Sequence, residues 1–208
     1  MLRSDPSKLF ATRSRFVLYV EGPSDCDILR TWARLLSPAL ARAVDSCAVI
    51  LGGRRPARAL AHFAEVSANA DPVPRALCVL DRDGVPGNAT ADREPPGFEF
   101  FTWPRRHIES YLLVADAIRC STRLPARDPR VDRLLQEVLP RIDDEESVRE
   151  IDAKKLLTPN GPLSRALGAP IHPASVARCM NRADLHADVL LVLDRLRAGV
   201  GLSRSETG

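Results

Sequence analysis

Residues 16–29, FVLYVEGPSDCDIL, decide the fold of the chain, because they hold a strand, a sharp break and the start of a helix. The apolar run over residues 15–20 is rich in β-branched and aromatic side chains, which is typical of a buried strand. Glu-Gly-Pro ends this run, and Ser24 or Asp25 can cap the helix that follows. Apolar side chains from Ile28 to Leu36 recur at helical spacing, so we predict a strand–turn–helix unit here.

Three more apolar runs repeat this pattern along the chain. They are residues 47–51 (CAVIL), 76–80 (ALCVL) and 98–103 (FEFFTW). Helices are predicted over residues 56–68 and 106–118, and the Pro-, Gly- and Asn-rich stretch 85–97 is predicted to form a loop. Because the strands are nearly all apolar and alternate with helices, we predict an α/β fold with a four-stranded parallel sheet flanked by helices.

The C-terminal part of the sequence has a different pattern. From about residue 127 onward no strand-like run appears, and short helices are predicted at residues 131–139, 147–157, 173–181 and 187–197. We therefore divide the chain into a leader (1–14), an α/β core (15–120), a helical C-terminal extension (121–202) and a tail (203–208).

Composition limits the classes of protein to which the chain can belong. Hydrophobic residues make up 45% and charged residues 27%, as in ordinary globular proteins, and the formal net charge is only +3. No apolar run approaches the roughly 20 residues that cross a bilayer, and the N-terminus lacks the apolar segment of a signal peptide. We therefore expect a soluble, cytoplasmic protein with no membrane partner. The five cysteines are scattered singly, which argues against both a disulfide framework and a zinc knuckle.

Acidic residues stand at the carboxyl ends of three predicted strands. Glu21 and Asp25 follow the first strand, Asp81 and Asp83 follow the third, and Glu109 lies six residues beyond the fourth. Ligands of open parallel sheets bind outside the carboxyl ends of the strands. We therefore expect the five carboxylates to converge on one edge of the sheet.

A cluster of carboxylates at one edge is electrostatically costly unless some of them protonate or bind a cation. Carboxylate oxygens suit Mg²⁺ or Mn²⁺, which keep waters and accept phosphate oxygens as further ligands. Two such ions about 4 Å apart would stabilise both the attacking and the leaving oxygen of a phosphoryl transfer. The pattern therefore favours a two-metal site for Mg²⁺ or Mn²⁺ that acts on a phosphodiester.

Several segments of the sequence resemble a known family of domains. Residues 16–29 resemble the first motif of TOPRIM domains, the fold shared by topoisomerases, primases and several nucleases, and residues 78–84 (CVLDRDG) resemble the second, DxD motif. Residues 105–113 (RRHIESYLL) are similar to a helix of the OLD-family nucleases and related ATPase-associated TOPRIM proteins. The resemblance extends more loosely to residues 152–157 (DAKKLL), which are similar to a G-K-x-L-L segment that carries a lysine in that family.

The resemblance implies a TOPRIM catalytic core over residues 15–120 and a role for each acid. Glu21 would be the pivotal metal ligand and the candidate general base. Lys154 would stabilise developing negative charge or help the leaving group, with Lys155 as the alternative, since alanine replaces the family's glycine at position 153. The remaining acids would complete the two metal sites: Asp25, Asp81, Asp83 and Glu109.

The resemblance also implies an activity and a partner. OLD-type nucleases usually carry an ATPase domain ahead of the TOPRIM domain, whereas residues 52–55 (GGRR) lack the spacing and the lysine of a phosphate-binding loop. Either the chain works alone or a separate chain supplies the ATPase, and the resemblance favours the second, as part of a bacterial antiphage defence system. The expected activity is metal-dependent hydrolysis of phosphodiester bonds in DNA or RNA, tRNA included.

Cationic side chains near the same edge are candidates for contacts with a nucleic acid backbone. Arg54, Arg55 and Arg106 are the predicted substrate-binding residues. Trp103 and Tyr111 could stack on bases, but both fall in apolar patterns that favour core positions. Further cationic candidates are Arg58, Arg82, Arg105 and His107.

Two other functions are compatible with the sequence. RNA-maturation or primase-like TOPRIM enzymes share the EGxxD and DxD motifs but usually lack the IESYLL helix. A catalytically silent module could instead use the acidic edge to dock on an ATPase partner. The five acids at the strand ends favour an enzyme, because a silent copy should tolerate their loss.

Overall fold

The computed structural model describes residues 16–68, 70–83, 94–124, 128–139 and 144–203. They form a four-stranded, wholly parallel sheet with the strand order β2-β1-β3-β4, which confirms the predicted fold class. The predicted leader, residues 85–93 of the predicted loop and residues 204–208 of the predicted tail lie outside the described residues. The strands are β1 (Phe16–Val20), β2 (Ala48–Ile50), β3 (Arg75–Leu80) and β4 (Phe98–Thr102).

The register of the two central strands determines which residues meet at the sheet edge. Val17 of β1 lies opposite Ala76 of β3, and Tyr19 lies opposite Cys78. Both strands run in the same direction and end within a residue or two of each other. The residues that follow β1 and β3 therefore leave the sheet side by side.

Three helices connect the first three strands: α1 (Pro23–Leu36), α2 (Pro38–Cys47) and α3 (Pro56–Ser67). The prediction contains no helix at residues 38–47. Helix α2 forms because the Ser37 hydroxyl oxygen accepts the backbone N–H groups of Ala39 and Leu40, and Pro38 suits the first helical position. The Ser-Pro pair is a helix-start signal that the sequence already carried.

The single helix predicted over residues 106–118 is wrong. Ile108–Leu112 forms a 3₁₀ helix, η1, and a separate helix α4 (Ala115–Thr122) follows after Leu113 and Val114. All five residues of η1 are buried. A tight 3₁₀ turn thus places the acid of this segment inside the protein rather than on a solvated helix face.

The C-terminal extension is helical, and no strand occurs in residues 128–139 and 144–203. The helix predicted at residues 147–157 is divided into two by Ile151 and Asp152, and the prediction lacks α8. None of the helices formed by the described residues is long and apolar enough to span a membrane. The elements are α5 (Pro129–Val138), α6 (Glu145–Glu150), α7 (Ala153–Leu156), α8 (Pro162–Leu167), α9 (Pro173–Cys179), the 3₁₀ helix η2 (Arg182–Asp184) and α10 (Ala187–Gly199).

Each face of the sheet packs against helices. Leu18 and Leu77 belong to the larger core, which includes α1, α9 and α10, whereas Tyr19 packs in a smaller core with Phe63 of α3. In the larger core, a Cβ atom added at residue 199 of α10 would lie only 2.1 Å from the ring of Phe16. Helix α10 can therefore approach the sheet this closely only because residue 199 is glycine.

A disulfide joins Cys120 of α4 to Cys179 of α9. The expectation from the scattered cysteines is therefore wrong for this pair. The two residues are 59 positions apart, and packing of α4 against α9 brings their Cα atoms to 5.9 Å. Only the tertiary contact, and not the spacing in the sequence, reveals the pair. Cys47 and Cys78 are free and buried, as small core residues are.

Candidate metal centre

Glu21 links the carboxyl ends of the two central strands. It directly follows β1 and is buried, with 7% of its surface exposed. Its Oε1 accepts a 2.8 Å hydrogen bond from the backbone N–H of Asp81, the residue that follows β3. The Glu21 carboxylate therefore forms part of the connection between the two strand ends.

Asp25 faces the same region from the first turn of α1. Gly22, rather than Ser24 or Asp25, is the N-cap residue of this helix, so the predicted cap is wrong. The Asp25 carboxylate turns back and accepts the backbone N–H of Gly22 at 2.9 Å. A carboxylate in the first turn also interacts favourably with the helix dipole, which helps to keep this buried acid in place.

Asp81 is bound on both of its carboxylate oxygens. Oδ1 accepts the backbone N–H of Ile108 at 2.9 Å, and Oδ2 lies 2.5 Å from the Nζ of Lys154. The residue is almost fully buried, with 2% of its surface exposed. Asp81 therefore joins the end of β3 to η1 on one side and to α7 on the other.

Asp83 is the most exposed of the five acids. Its backbone has a φ of 47°, in the left-handed region that few residues other than glycine adopt. The backbone N–H groups of Arg82 and Asp83 both donate to the carbonyl oxygen of Arg106. The carboxylate Oδ1 of Asp83 lies 3.3 Å from the Nε2 of His107. The DxD loop is thus fixed to the segment that precedes η1.

Glu109 is buried, although taken alone it reads as a solvated helix residue. It lies in η1 with 4% of its surface exposed. Its Oε2 is buried and has no hydrogen-bond partner among the described residues. A buried carboxylate oxygen without a partner is costly, so Oε2 of Glu109 has capacity to accept a ligand.

The acids of the cluster bind protons more tightly than ordinary carboxyl groups do. Burial raises the pKa of Glu21 to about 7, although the hydrogen bond from the backbone of Asp81 opposes the shift. Burial, followed by the charge of Asp81, raises the pKa of Asp25 to about 6. Burial raises the pKa of Glu109 to about 8. Desolvation and mutual repulsion thus oppose full ionisation of the cluster when no cation is bound.

Lys154 is the lysine that reaches the acids. Its ammonium contacts Asp81, whereas the side chain of Lys155 is exposed. Burial alone would lower the pKa of Lys154, but the hydrogen bond and charge of Asp81, together with the charge of Glu109, hold the pKa above its ordinary value. Asp152 caps α7 by accepting the backbone N–H of Lys155, and this cap positions the helix that carries Lys154.

The predicted substrate-binding arginines lie around the acids with different degrees of freedom. Arg55 is exposed at the start of α3, and Arg54 is partly buried, with an Nη1 that has no partner among the described residues. Arg106 is partly buried, and its Nη2 lies 4.0 Å from the Oδ2 of Asp152. The role of these three side chains in binding a phosphate stays a prediction.

The other cationic candidates are occupied by contacts within the protein. Arg82 pairs with Glu150 at 2.6 Å, and Arg105 pairs with Glu145 at 3.0 Å. Arg58 donates to a backbone carbonyl at 2.8 Å. These arginines hold segments of the protein together rather than presenting free charge to a substrate.

The remaining candidates are buried. Trp103 and Tyr111 have 2% and 3% of their surface exposed, which confirms the core positions that their sequence pattern favours. The Tyr111 hydroxyl donates to the carboxylate of Asp188 at 2.7 Å. His107 is also buried, with 4% exposed, so it faces Asp83 rather than a substrate. The pattern of the sequence carries no signal for the contact between His107 and Asp83.

The donor set fits a hard divalent cation in its chemistry. Carboxylate oxygens are what Mg²⁺ and Mn²⁺ prefer, and the unpartnered Oε2 of Glu109 is available as a donor. Among the described residues, no group of three acidic, histidine or cysteine side chains is arranged so that it could hold an ion as it stands. The ammonium of Lys154, bound to Asp81, provides positive charge in the cluster.

Comparison with known proteins shows a likeness of fold. The chain is similar to two structures of the C-terminal region of the Xanthomonas campestris pv. campestris OLD protein, one phased with iodine and one with mercury. The iodine structure has 15% sequence identity and a TM-score of 0.50, and the match covers 91% of this chain and 97% of that chain. The mercury structure has 16% identity and a TM-score of 0.51, covering 91% and 98%. No protein-family model and no curated protein matches the sequence.

Proposed function

We propose that this chain is a divalent-metal-dependent nuclease that hydrolyses phosphodiester bonds of DNA or RNA. The observation that carries the proposal is the cluster of buried carboxylates at one edge of the sheet, in which Glu109 Oε2 has no partner among the described residues. Burying several carboxylates together lowers the free energy of unfolding unless a cation binds them. Such a cluster is therefore best explained by its ligand.

Mg²⁺ or Mn²⁺ would be held by the carboxylates that converge at the sheet edge. When bound, a pair of such ions supplies Lewis acidity at the phosphate and activates water as the nucleophile. The raised pKa values of the acids would return toward normal in the presence of the ions, because positive charge favours the ionised form. The residues proposed as metal ligands are Glu21, Asp25, Asp81, Asp83 and Glu109.

The chain's own residues would contribute proton transfer and charge stabilisation. Glu21 stands at the end of β1, with its carboxylate bound to the backbone of Asp81, and it is the proposed general base. Lys154 remains charged, so its ammonium can stabilise the negative charge that develops on the leaving oxygen. Arg54, Arg55 and Arg106 would orient the substrate by binding its phosphates.

Two independent lines agree with this proposal. The motifs at residues 16–29, 78–84 and 105–113 resemble those of OLD-family nucleases. The fold is similar to the C-terminal region of an OLD protein over nearly all of both chains. We extend the proposal to a partner: a separate ATPase chain that controls the nuclease, as in bacterial antiphage defence.

The proposed activity is tested by incubating the purified chain with plasmid, single-stranded DNA and total tRNA, in Mn²⁺, Mg²⁺ or EDTA. We expect cleavage of at least one substrate with metal and none with EDTA. Glu21→Gln should abolish cleavage, because the amide cannot act as a base, while its oxygen can still accept the Asp81 N–H. Glu65→Gln, at an exposed glutamate of α3, is the matched control and should cut normally.

Two results would contradict the proposal. One is the absence of metal-dependent cleavage for all three substrates, both by the chain alone and after reconstitution with a co-purified ATPase. The other is cleavage by Glu21→Gln at the wild-type rate, which would contradict the assignment of the site. The ATPase partner is tested separately, by co-purification from the native host, identification of bound chains, and reconstitution. A bound ATPase that leaves cleavage unchanged with and without ATP would exclude the regulatory role but not the nuclease.

A further inference from the structure

The segment just before η1 connects the two parts of the candidate site. The carbonyl oxygen of Arg106 accepts the backbone N–H groups of Arg82 and Asp83, and the backbone N–H of Arg106 donates to the carbonyl of Arg149 at 2.9 Å. The DxD loop and the segment leading to α7 are therefore joined through one residue. His107 comes next in the chain and lies between the same two segments.

The imidazole of His107 is placed between two acids. Its Nε2 lies 3.3 Å from Oδ1 of Asp83, and its Nδ1 lies 4.0 Å from Oδ1 of Asp152, too far for a hydrogen bond. Nδ1 is buried and has no hydrogen-bond partner among the described residues. The close polar contact of the imidazole is therefore with Asp83, the second acid of the DxD pair.

Asp83 is the acid of the cluster that most needs such a contact. Its side chain is 38% exposed, compared with 6% for that of His107. An exposed carboxylate samples several rotamers, and binding a metal ion requires one of them to be selected. A buried imidazole beside Oδ1 selects an orientation before the ion arrives.

We propose that His107 is a positioning residue that orients the Asp83 carboxylate for metal binding. The inference rests on the proposed function, because it assumes that Asp83 is a metal ligand. His107 itself does not contact the ion in this role. Its contribution is the 3.3 Å contact of Nε2 with Oδ1 of Asp83, and removal of that contact weakens metal binding through Asp83.

The test measures Mn²⁺ binding to the full purified chain by calorimetry and by electron paramagnetic resonance. His107→Leu places an apolar side chain of similar size at the buried position and removes the imidazole nitrogen that contacts Asp83. It should weaken Mn²⁺ binding about tenfold, in the range typical of lost outer-shell contacts. His107→Gln should bind within about threefold of wild type, since the glutamine amide can donate near the Nε2 position. His62→Leu, on the opposite face of the sheet, is the control and should bind Mn²⁺ normally.

A double-mutant cycle separates positioning from a merely structural role. With Asp83→Ala in place, His107→Leu should cause no further loss of Mn²⁺ affinity, because the residue through which it acts is gone. Equal losses from His107→Leu in both backgrounds would overturn the proposal. Thermal unfolding confirms that each variant is folded, and His107→Asn, whose amide is too short to reach Asp83, replaces the leucine variant if that one does not fold.

The outcomes distinguish the two proposals from each other. Mn²⁺ binding and cleavage by the wild type, together with wild-type affinity in His107→Leu and His107→Asn, would overturn the role of His107 alone. No Mn²⁺ binding by the wild type would overturn both. The expected result has three parts. His107→Leu weakens Mn²⁺ binding, and His107→Gln binds Mn²⁺ nearly as tightly as the wild type. With Asp83→Ala in place, His107→Leu causes no further loss.

Discussion

The ammonium of Lys154 lies 2.5 Å from Oδ2 of Asp81, although 73 positions separate the two residues in the chain. The lysine belongs to the helical extension and the aspartate to the end of a central strand. Its charge also acts on Glu21, Asp25 and Glu109, whose pKa values it lowers against the effect of burial. One cation from the extension thus acts on four of the five acids, Asp83 being the exception.

Substitution of Lys154 should slow cleavage strongly, whereas substitution of the neighbouring Lys155 should leave the cleavage rate unchanged. Lys154→Met removes the charge but keeps the apolar stem, and we expect cleavage to fall about 10²–10³-fold, as it does when a donor to developing charge is lost. Lys155→Met, one residue away and exposed, is the matched control and should retain activity. Single-turnover cleavage rates at saturating Mn²⁺ give the comparison. A larger loss in Lys155→Met would reassign the functional lysine.

The stability of the metal-free protein should fall as the pH rises. The folded pKa values of Glu21, Asp25 and Glu109 are about 7, 6 and 8, above the values near 4 of carboxyl groups in an unfolded chain. Between the unfolded pKa values near 4 and the folded values of about 6 to 8, the folded state binds more protons than the unfolded state. The free energy of unfolding therefore decreases as the pH rises through this range. The stabilisation is complete below about pH 4 and is lost as the pH passes through the folded values.

Urea unfolding in EDTA at several pH values between about 5 and 8 measures this dependence. Glu109→Gln cannot ionise and should flatten the decrease, by at most about 1.4 kcal/mol per pH unit. Glu65→Gln should leave the slope unchanged, since that glutamate is exposed. A free energy of unfolding that rises over this range would show that the acids are not protonated in the folded protein.

Reduction of the disulfide should lower stability without unfolding the site. Cys120 and Cys179 close a loop of 59 positions, for which chain entropy predicts a stabilisation of up to about 4 kcal/mol. We expect a reductant to lower the melting temperature of the wild type. The Cys120→Ser/Cys179→Ser double variant should melt near the temperature of the reduced protein, with or without reductant. Cys26→Ser removes a free thiol and is the control, so its melting temperature should fall with reductant as that of the wild type does. If a reductant still lowers the melting temperature of the double variant, the effect belongs to another cysteine.

The parts of the fold that could be predicted are those encoded by neighbouring residues. Each strand is a short apolar run, and the acids directly after β1 and β3 are placed by parallel strand direction alone. The Ser37-Pro38 helix start is equally local, so the signal for α2 lies within the sequence. Local patterns therefore account for the sheet and for the placement of Glu21 and Asp81.

The parts that could not be predicted depend on contacts between distant residues. The burial of Glu109 requires η1 to be a 3₁₀ turn, whereas an apolar pattern with an acid in it suits a solvated α-helix equally well. The contact of His107 with Asp83 and the pairing of Cys120 with Cys179 follow from packing alone. Only the resemblance of residues 152–157 to a family segment favours Lys154, and no local feature of the sequence distinguishes it from Lys155.

The hydrogen bond from Asp81 N–H to Glu21, and that from Ile108 N–H to Asp81, give these acids a second reason to persist in evolution. Each carboxylate closes a junction between loops, so a catalytically silent descendant would still lose stability on replacing it. The expectation that a silent copy should tolerate the loss of all five acids therefore does not hold for Glu21 and Asp81, and their presence in a homologue is weak evidence that the homologue is active. Glu109 Oε2 contributes no such junction among the described residues. Such a descendant would therefore tolerate the loss of this atom most readily. Position 109 is then the better marker of retained chemistry.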